Sequence, residues 1–187
     1  MTLPAFLARF PALFIYPFQF KSFGKKSKIV SPLKLDGKKN IVIGDNVYIN
    51  YKTWLLCLPL TNTKNPILKF GNGCKIGNFN HICATQSVIL EDDVLTADKV
   101  YISDNQHSFE DPIHQQPIKQ LKSVKIGEGS WIGENVCIIG ASVGKHCVVG
   151  ANAVVTHDIP DYSVAVGIPA KVIKQYNFET CQWEKTE

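Results

Sequence analysis

At 187 residues the chain is long enough for one domain with a sizeable core. Its net charge of +4 is too small to imply nucleic acid by itself, though compatible with a phosphate-bearing ligand. No run of about 18 or more uncharged apolar residues marks a transmembrane helix. The six cysteines, at 57, 74, 83, 137, 147 and 181, include no CxxC pair, and Cys83, Cys137 and Cys147 replace small residues inside repeats. They read as reduced thiols in a cytoplasmic protein.

Residues 1–28 form an opening segment rich in aromatics, interrupted by Pro4, Pro11 and Pro17 and followed by Lys21, Lys25, Lys26 and Lys28. It lacks the basic start and small-residue cleavage site of a signal peptide. Two readings stay open for it. One is a peripheral membrane contact, aromatics at the interface and lysines on anionic headgroups; the other is an arm packed on the domain end or on a neighbouring subunit.

From Ile29 a repeat begins irregularly. Ile43 and Ile49 stand six apart; the stretch Leu55 to Pro66 breaks the rhythm with Pro59 and Pro66. It returns at Phe70, Ile76, Ile82 and Val88, slips by two, and continues at Leu90, Thr96 and Ile102. Between Ile126 and Val166 the beat is clearest: Ile126, Ile132, Ile138, Val143, Val149 and Val155, six apart except for one five-residue step. A second beat of mostly small residues follows four positions later, at Ser130, Val136, Ser142, Cys147, Ala153 and Ile159. Six is a multiple of the strand period of two and far from whole turns of a 3.6-residue helix, and the glycines after most beats would weaken a helix. A sandwich has no reason to keep one period through six beats. Short strands wound into a solenoid do.

Residues 103–123, reading SDNQHSFEDPIHQQPIKQLKS, carry no beat and fall between two repeats, so they are expected to project as a loop. Asp104, Asn105 and His107 lie where it departs. An imidazole with an ordinary pKa near 6.5 suits proton acceptance at neutral pH. Asp104, Glu110 or Asp111 would hold the ring in one tautomer.

The run IGEGSWIGENVCIIGASVGKHCVVGANAVVTHDIP, with GIPAK at Gly167 to Lys171, resembles the hexapeptide-repeat acyltransferases, above all the sugar and polysaccharide O-acetyltransferases. The likeness covers about residues 40–176. It implies an all-β left-handed parallel β-helix over residues 29–176, with the projecting loop, the aromatic segment 1–28 and a short tail at 177–187. Handedness comes from the resemblance alone, since parallel crossovers are ordinarily right-handed.

The resemblance further implies His107 as general base, acetyl-CoA as donor, a sugar or glycan hydroxyl as acceptor, no metal, and a homotrimer with active sites between subunits. Trp131 and Glu134 would face the acetyl end, Ala151 the pantetheine arm, and Thr156 and His157 the stretch beyond it; Lys171 and Lys174 would approach the phosphates. Many relatives carry Lys where His157 stands, and some Arg for Lys171. The five-residue step replaces a Pro-Gly corner of relatives, so a tighter corner is expected beside the donor groove. Asn80 matches an acceptor-lining position and His81 stands next to it; either could instead be core. Asp104 and Asn105 are grouped with them as acceptor-binding, and His114 is left as loop.

The mechanism expected is direct transfer in a ternary complex, because no cysteine lies near His107 in sequence. The pathway expected is surface polysaccharide or lipopolysaccharide biosynthesis; if residues 1–28 bind lipid, reaction at the inner face of the membrane on a lipid-linked glycan intermediate is favoured. N-acetylation of an amino sugar is an alternative. Another is a zinc hydratase of the γ-carbonic-anhydrase type using His81, His107 and His114, and a third is a noncatalytic trimerisation scaffold.

Overall fold

The computed structural model describes residues 18–111, 113 and 116–186. Within them the chain repeats one circuit of three short strands: β1 (Ser22–Phe23), β2 (Lys28–Ile29) and β3 (Lys34–Asp36); β4 (Ile41–Ile43), β5 (Tyr48–Ile49) and β6 (Trp54–Cys57). It continues through β7 (Ile67–Phe70), β8 (Lys75–Ile76) and β9 (His81–Ala84), then β10 (Ser87–Leu90), β11 (Leu95–Thr96) and β12 (Tyr101–Ser103). The hairpin strands β13 (Asn105–His107) and β14 (Ile118–Gln120) interrupt, after which come β15 (Val124–Ile126), β16 (Trp131–Ile132), β17 (Cys137–Ile139), β18 (Val148–Val149) and β19 (Val154–Val155). The chain closes with β20 (Ser163–Val166), β21 (Lys171–Asn177) and β22 (Gln182–Lys185).

Each strand pairs in parallel with its equivalent one circuit away, giving three sheets: β1-β4-β7-β10-β15 (sheet I), β2-β5-β8-β11-β16-β18-β20 (sheet II) and β3-β6-β9-β12-β17-β19 (sheet III). Single bridges from Ile126 to Val143 and from Val143 to Ile159 carry sheet I onward. Antiparallel pairing is confined to β13 with β14 and to β20-β21-β22 at the end of sheet II.

Register explains the beat. Phe70, Leu90, Ile126 and Val143 stack in sheet I, Ile49, Ile76, Thr96, Ile132 and Val149 in sheet II, and Leu55, Ile82, Ile102, Ile138 and Val155 in sheet III. All of these are buried. Each aliphatic side chain thus meets its own equivalent above and below, and one fully buried Ile or Leu contributes roughly 2 kcal/mol of transfer free energy. Glycine after the beat has a steric cause: a Cβ on Gly127 would lie 2.5 Å from the backbone of Gly144 in the next circuit.

Four expectations need correction. Strand pairing begins at Ser22 rather than Ile29. Leu55 keeps the beat inside β6 and is wholly buried, so the break is confined to residues 58–66. At the five-residue step the second small residue inside is Ala141, not Ser142: shortening by one moves the inward position back by one. Ser142 instead accepts the Lys125 N–H through its Oγ and donates its own N–H to Asp158 Oδ1. Finally, the segment expected as a loop without strands is entered and left by paired strands, β13 and β14 forming a short antiparallel ribbon. Residues 1–17, and with them most of the opening segment, lie outside the described residues, as does His114.

Candidate active site

The ribbon leaves sheet III at Asp104. That side chain is fully buried and acts as a hub at the corner joining β9 to β10. Its Oδ1 accepts the Thr85 N–H at 2.8 Å and the Thr85 hydroxyl at 3.0 Å; its Oδ2 accepts the N–H groups of Gln86 and Ser87, each at 2.7 Å. Asn105 donates from Nδ2 to Asp104 Oδ1 at 3.1 Å and to Cys83 Sγ at 3.3 Å. The Asp104 carboxylate is thus spent on the corner and on Asn105, and Asn105 Nδ2 on Asp104 and Cys83, structural roles where acceptor binding was expected.

Two residues on, His107 is exposed and its Nδ1 lies 2.8 Å from the backbone carbonyl of Gln116 on the returning strand. A carbonyl can only accept, so this contact assigns the hydrogen to Nδ1 and leaves Nε2 with its lone pair. The orienting group is a backbone oxygen, not a carboxylate. Asp104 is the hub just described, Glu110 pairs with Lys119, and Asp111 accepts the Ile113 N–H at 2.9 Å.

Side chains alternate along the ribbon, so Gln106 faces opposite to His107. Gln106 joins Leu121, Lys122, Ile139, Gly140, Thr156, His157 and Asp158 around a cleft of about 370 Å³. Thr156 Oγ1 and His157 Nδ1 are 3.0 Å apart on its wall. Gly140 lies at the five-residue step with φ 59°, and a Cβ there would come within 2.8 Å of Leu121 Cβ, so the ribbon's base rests on the tightened corner.

The other expected donor residues lie elsewhere. Glu134 and Ala151 occupy successive corners between sheets II and III, where Glu134 pairs with Lys99 at 2.9 Å and its carbonyl accepts the Asn152 N–H at 2.8 Å. Trp131 is half exposed on the outer face of sheet II, because its neighbour Ile132 points into the core. Register places Val148, Val164 and Lys174 beside it in one outward row. A bulge leaves Ile173 unpaired and sets Lys171 opposite Val166 and Lys174 opposite Val164, so both lysines face outward despite their odd spacing. Within one chain, then, Thr156 and His157 share a cleft with the ribbon's Gln106 face, while Trp131, Lys171 and Lys174 share the face of sheet II.

Asn80 and His81 resolve differently. Asn80 is 1% exposed, donating from Nδ2 to the Ala97 carbonyl at 3.0 Å and accepting the Val100 N–H at 2.9 Å, so it belongs to the stack of circuits. The His81 ring stacks on Trp54 with centroids 4.1 Å apart and leans on Tyr101 at 5.2 Å. Its Nε2 is buried without a hydrogen-bond partner, and burial pushes its pKa below 6.5. Neither presents an open acceptor contact. What the sequence reading missed is the Gln116 carbonyl, the Val148 and Val164 links of the row, and Lys185 beyond it; only the register of β20, β21 and β22 reveals the last.

All six cysteines are free, and burial raises the thiol of Cys57 to about 12 and of Cys74 to about 11. Among the described residues no three His, Cys, Asp or Glu side chains gather closely enough to hold a metal ion.

Comparison with known proteins agrees with this architecture. Residues 123–157 match the family described as the hexapeptide repeat of succinyl-transferase. A protein of Escherichia coli K12 named as a lipopolysaccharide biosynthesis O-acetyl transferase, WbbJ, is 40% identical over 129 residues, covering 64% of this chain and 66% of its own length. The galactoside O-acetyltransferase of the same organism is 29% identical over 163 residues, covering 84% of this chain and 65% of its own. This chain thus spans about two thirds of those relatives. The N-acyltransferase AntD of Bacillus cereus, solved with dTDP and 3-hydroxybutyryl-CoA, shares the fold with TM-score 0.73 at 19% identity, covering 90% of this chain and 89% of that one. The matched repeat, the 40% identity to WbbJ and the shared fold together mean that the chain belongs to the hexapeptide-repeat acyltransferase family.

Proposed function

We propose that this protein is an acetyl-CoA-dependent O-acetyltransferase that modifies a sugar hydroxyl in the making of a surface polysaccharide or lipopolysaccharide, with His107 as general base. The reading includes a left-handed parallel β-helix, three copies to a molecule, and work in the cytoplasm. WbbJ and the galactoside enzyme support the acceptor class by their names, and AntD supports a CoA thioester donor on this fold. The observation that carries the reading is the 2.8 Å contact from His107 Nδ1 to the Gln116 carbonyl, which leaves Nε2 exposed as a base.

The residues present fit such a donor. The outward row offers an aromatic ring and two valines followed by lysine, which suits an apolar arm ending in phosphates. The donor supplies an activated acyl thioester. On the protein side, Nε2 accepts the acceptor hydroxyl's proton as its oxygen attacks the thioester carbonyl, the Gln116 carbonyl steadies the resulting imidazolium through the Nδ1 hydrogen, and as the carbonyl–sulfur bond breaks the departing thiolate takes the proton from Nε2. A backbone N–H from a neighbouring circuit would meet the developing oxyanion. Since His107 turns away from the Thr156 cleft and the Trp131 row lies on another sheet, the reading has these parts meet between copies.

The test is release of free thiol from acetyl-CoA against a panel of sugars and nucleotide- or lipid-linked sugars, for wild type and His107→Ala. Turnover with one acceptor, lowered about 10²–10⁴-fold in His107→Ala, is the expected outcome. Equal turnover by both proteins would remove His107 from the chemistry.

A further inference from the structure

Charge is divided unevenly along the stack of circuits. Residues 18–86, which span β1 to β9, hold eleven lysines against Asp36 and Asp45 and no glutamate, whereas residues 87–187 hold eight lysines against fourteen acidic residues. Such an asymmetry between halves points to a charged partner at one end. Within the first circuit the lysines go all the way round. Lys21 precedes β1, Lys25 and Lys26 stand at the corner between β1 and β2, Lys28 lies on β2, Lys34 on β3, and Lys38 and Lys39 in the 3-10 turn that leads to β4. All but Lys38 are exposed. Lys34 pairs with Asp36 at 3.1 Å, and among the described residues no other lysine of this circuit joins an ion pair. Cations on one sheet would present one face; cations on every side present the end of the stack.

The same end carries apolar surface. Phe18 is 81% exposed, held at the end by its carbonyl, which accepts from Lys39 Nζ at 3.0 Å. Leu33 is 60% exposed at the corner between sheets II and III, and the next two circuits add the exposed Tyr51 and Phe79 at that corner, their rings edge to face at 5.8 Å. Leu35 is half-buried, while its partner one circuit on, Leu55, is fully buried. The sequence ahead of Phe18 continues the pattern: residues 1–17 contribute Phe6, Phe10, Phe14, Tyr16 and Arg9 and no acidic residue. A nucleic acid would use the cations and leave the aliphatic surface in water. A lipid surface uses both, taking lysines at its headgroups and aromatic or aliphatic side chains at the acyl boundary.

We infer that the first circuit docks end-on against an anionic lipid surface, its lysine ring on the headgroups and Phe18 and Leu33 entering the boundary beneath them. Bound anions relieve the repulsion that the ring's lysines exert on one another. The docked orientation also sets a height. The ribbon leaves sheet III from β12, three strand spacings beyond β3, or about 14 Å from the lipid end. His107 would then face a glycan whose anchor lies in the same membrane. The docking itself rests on the charged end alone and is independent of the acyl chemistry.

Sedimentation of the full chain with vesicles of mixed phosphatidylglycerol and phosphatidylcholine, against phosphatidylcholine alone, tests this. Wild type should bind the anionic vesicles, and added salt should weaken the binding. Lys25→Gln combined with Lys28→Gln should lower the affinity about tenfold, and Leu33→Asp should lower it as well. Lys125→Gln combined with Lys145→Gln removes the same charge from later circuits and should leave binding unchanged. In Leu33→Trp, the added fluorescence should be quenched by brominated lipid. Equal losses in the two paired variants would mean that net charge alone draws the protein to lipid, which overturns the end-on seat. Wild type that binds no vesicles overturns the inference outright; binding of polyuridylate that is lost in the Lys25 and Lys28 variant would then assign the ring to RNA, and salt-sensitive self-association would assign it to a second copy. Thiol release from acetyl-CoA with a soluble acceptor uses none of these residues, so it should stay at the wild-type rate in every variant, and its absence would count only against the acyltransferase reading.

Discussion

The stacked circuits and the ribbon at residues 103–123 are built by opposite means. In the circuits every inward residue repeats, so burial is distributed over many equivalent Ile, Val and Leu contacts and no single one positions anything. The ribbon has no such redundancy. It hangs on one buried carboxylate, one glycine beneath a leucine, and one carbonyl that sets a histidine ring. Redundant packing gives a rigid base; a few specific polar contacts on top of it hold the ribbon and orient its exposed histidine. The two regions should therefore fail differently when cut.

The largest stability loss belongs to the circuits. Ile132 is fully buried between Thr96 and Val149, and Ile132→Ala should cost about 2–5 kcal/mol by lost transfer energy and the cavity left behind. Denaturant unfolding should show one cooperative transition at lower midpoint. A folded protein with only the ribbon disturbed would contradict the division.

Asp104→Ala tests the junction. It strips the acceptor from three backbone N–H groups and the Thr85 hydroxyl, for a loss of about 3 kcal/mol. Because the same carboxylate anchors both the β9–β10 corner and Asn105, turnover should fall along with the melting temperature. Gly140→Ala is milder: a left-handed φ and contact with Leu121 should cost about 1–2 kcal/mol. Its signature would be increased proteolytic cutting within residues 103–123 while the circuits unfold almost as before.

This contrast also governs what the sequence could tell. The beats from Phe70 to Val155 were legible because each inward residue has a copy one circuit away, and even the five-residue step announced a tight corner. Polar residues inside the circuits are less legible for the same reason. Asn80, Asp104 and Asn105 sit at chain corners, where an amide or carboxylate that satisfies internal N–H groups looks, in one dimension, like one that faces a ligand. Family resemblance singles out His107 as a candidate, but its partner is a backbone oxygen nine residues on, invisible to any reading of side chains. The row from Trp131 to Lys185 was hidden because strand pairing and a bulge at Ile173 decide which lysines share a face. Spacing alone would have set Lys171 and Lys174 on opposite sides.

The smallest expected effect concerns His81, a titratable ring inside the redundant region. Burial between Trp54 and Tyr101 disfavours its charged form and holds its pKa below 6.5. Unfolding releases the ring to water, where it takes a proton near 6.5, so below that pH the unfolded chain binds more protons than the folded one. His81's contribution is accordingly intact above about pH 6.5 and lost progressively as the pH falls beneath it. Denaturant unfolding at about pH 7.5 and about pH 5.5 should show wild type losing more stability on acidification than His81→Leu, which keeps the apolar stack and has nothing to protonate. Equal losses in the two proteins would assign the acid sensitivity to other groups, and would mean that the unpartnered Nε2 meets water or a neighbouring copy rather than the dry stack.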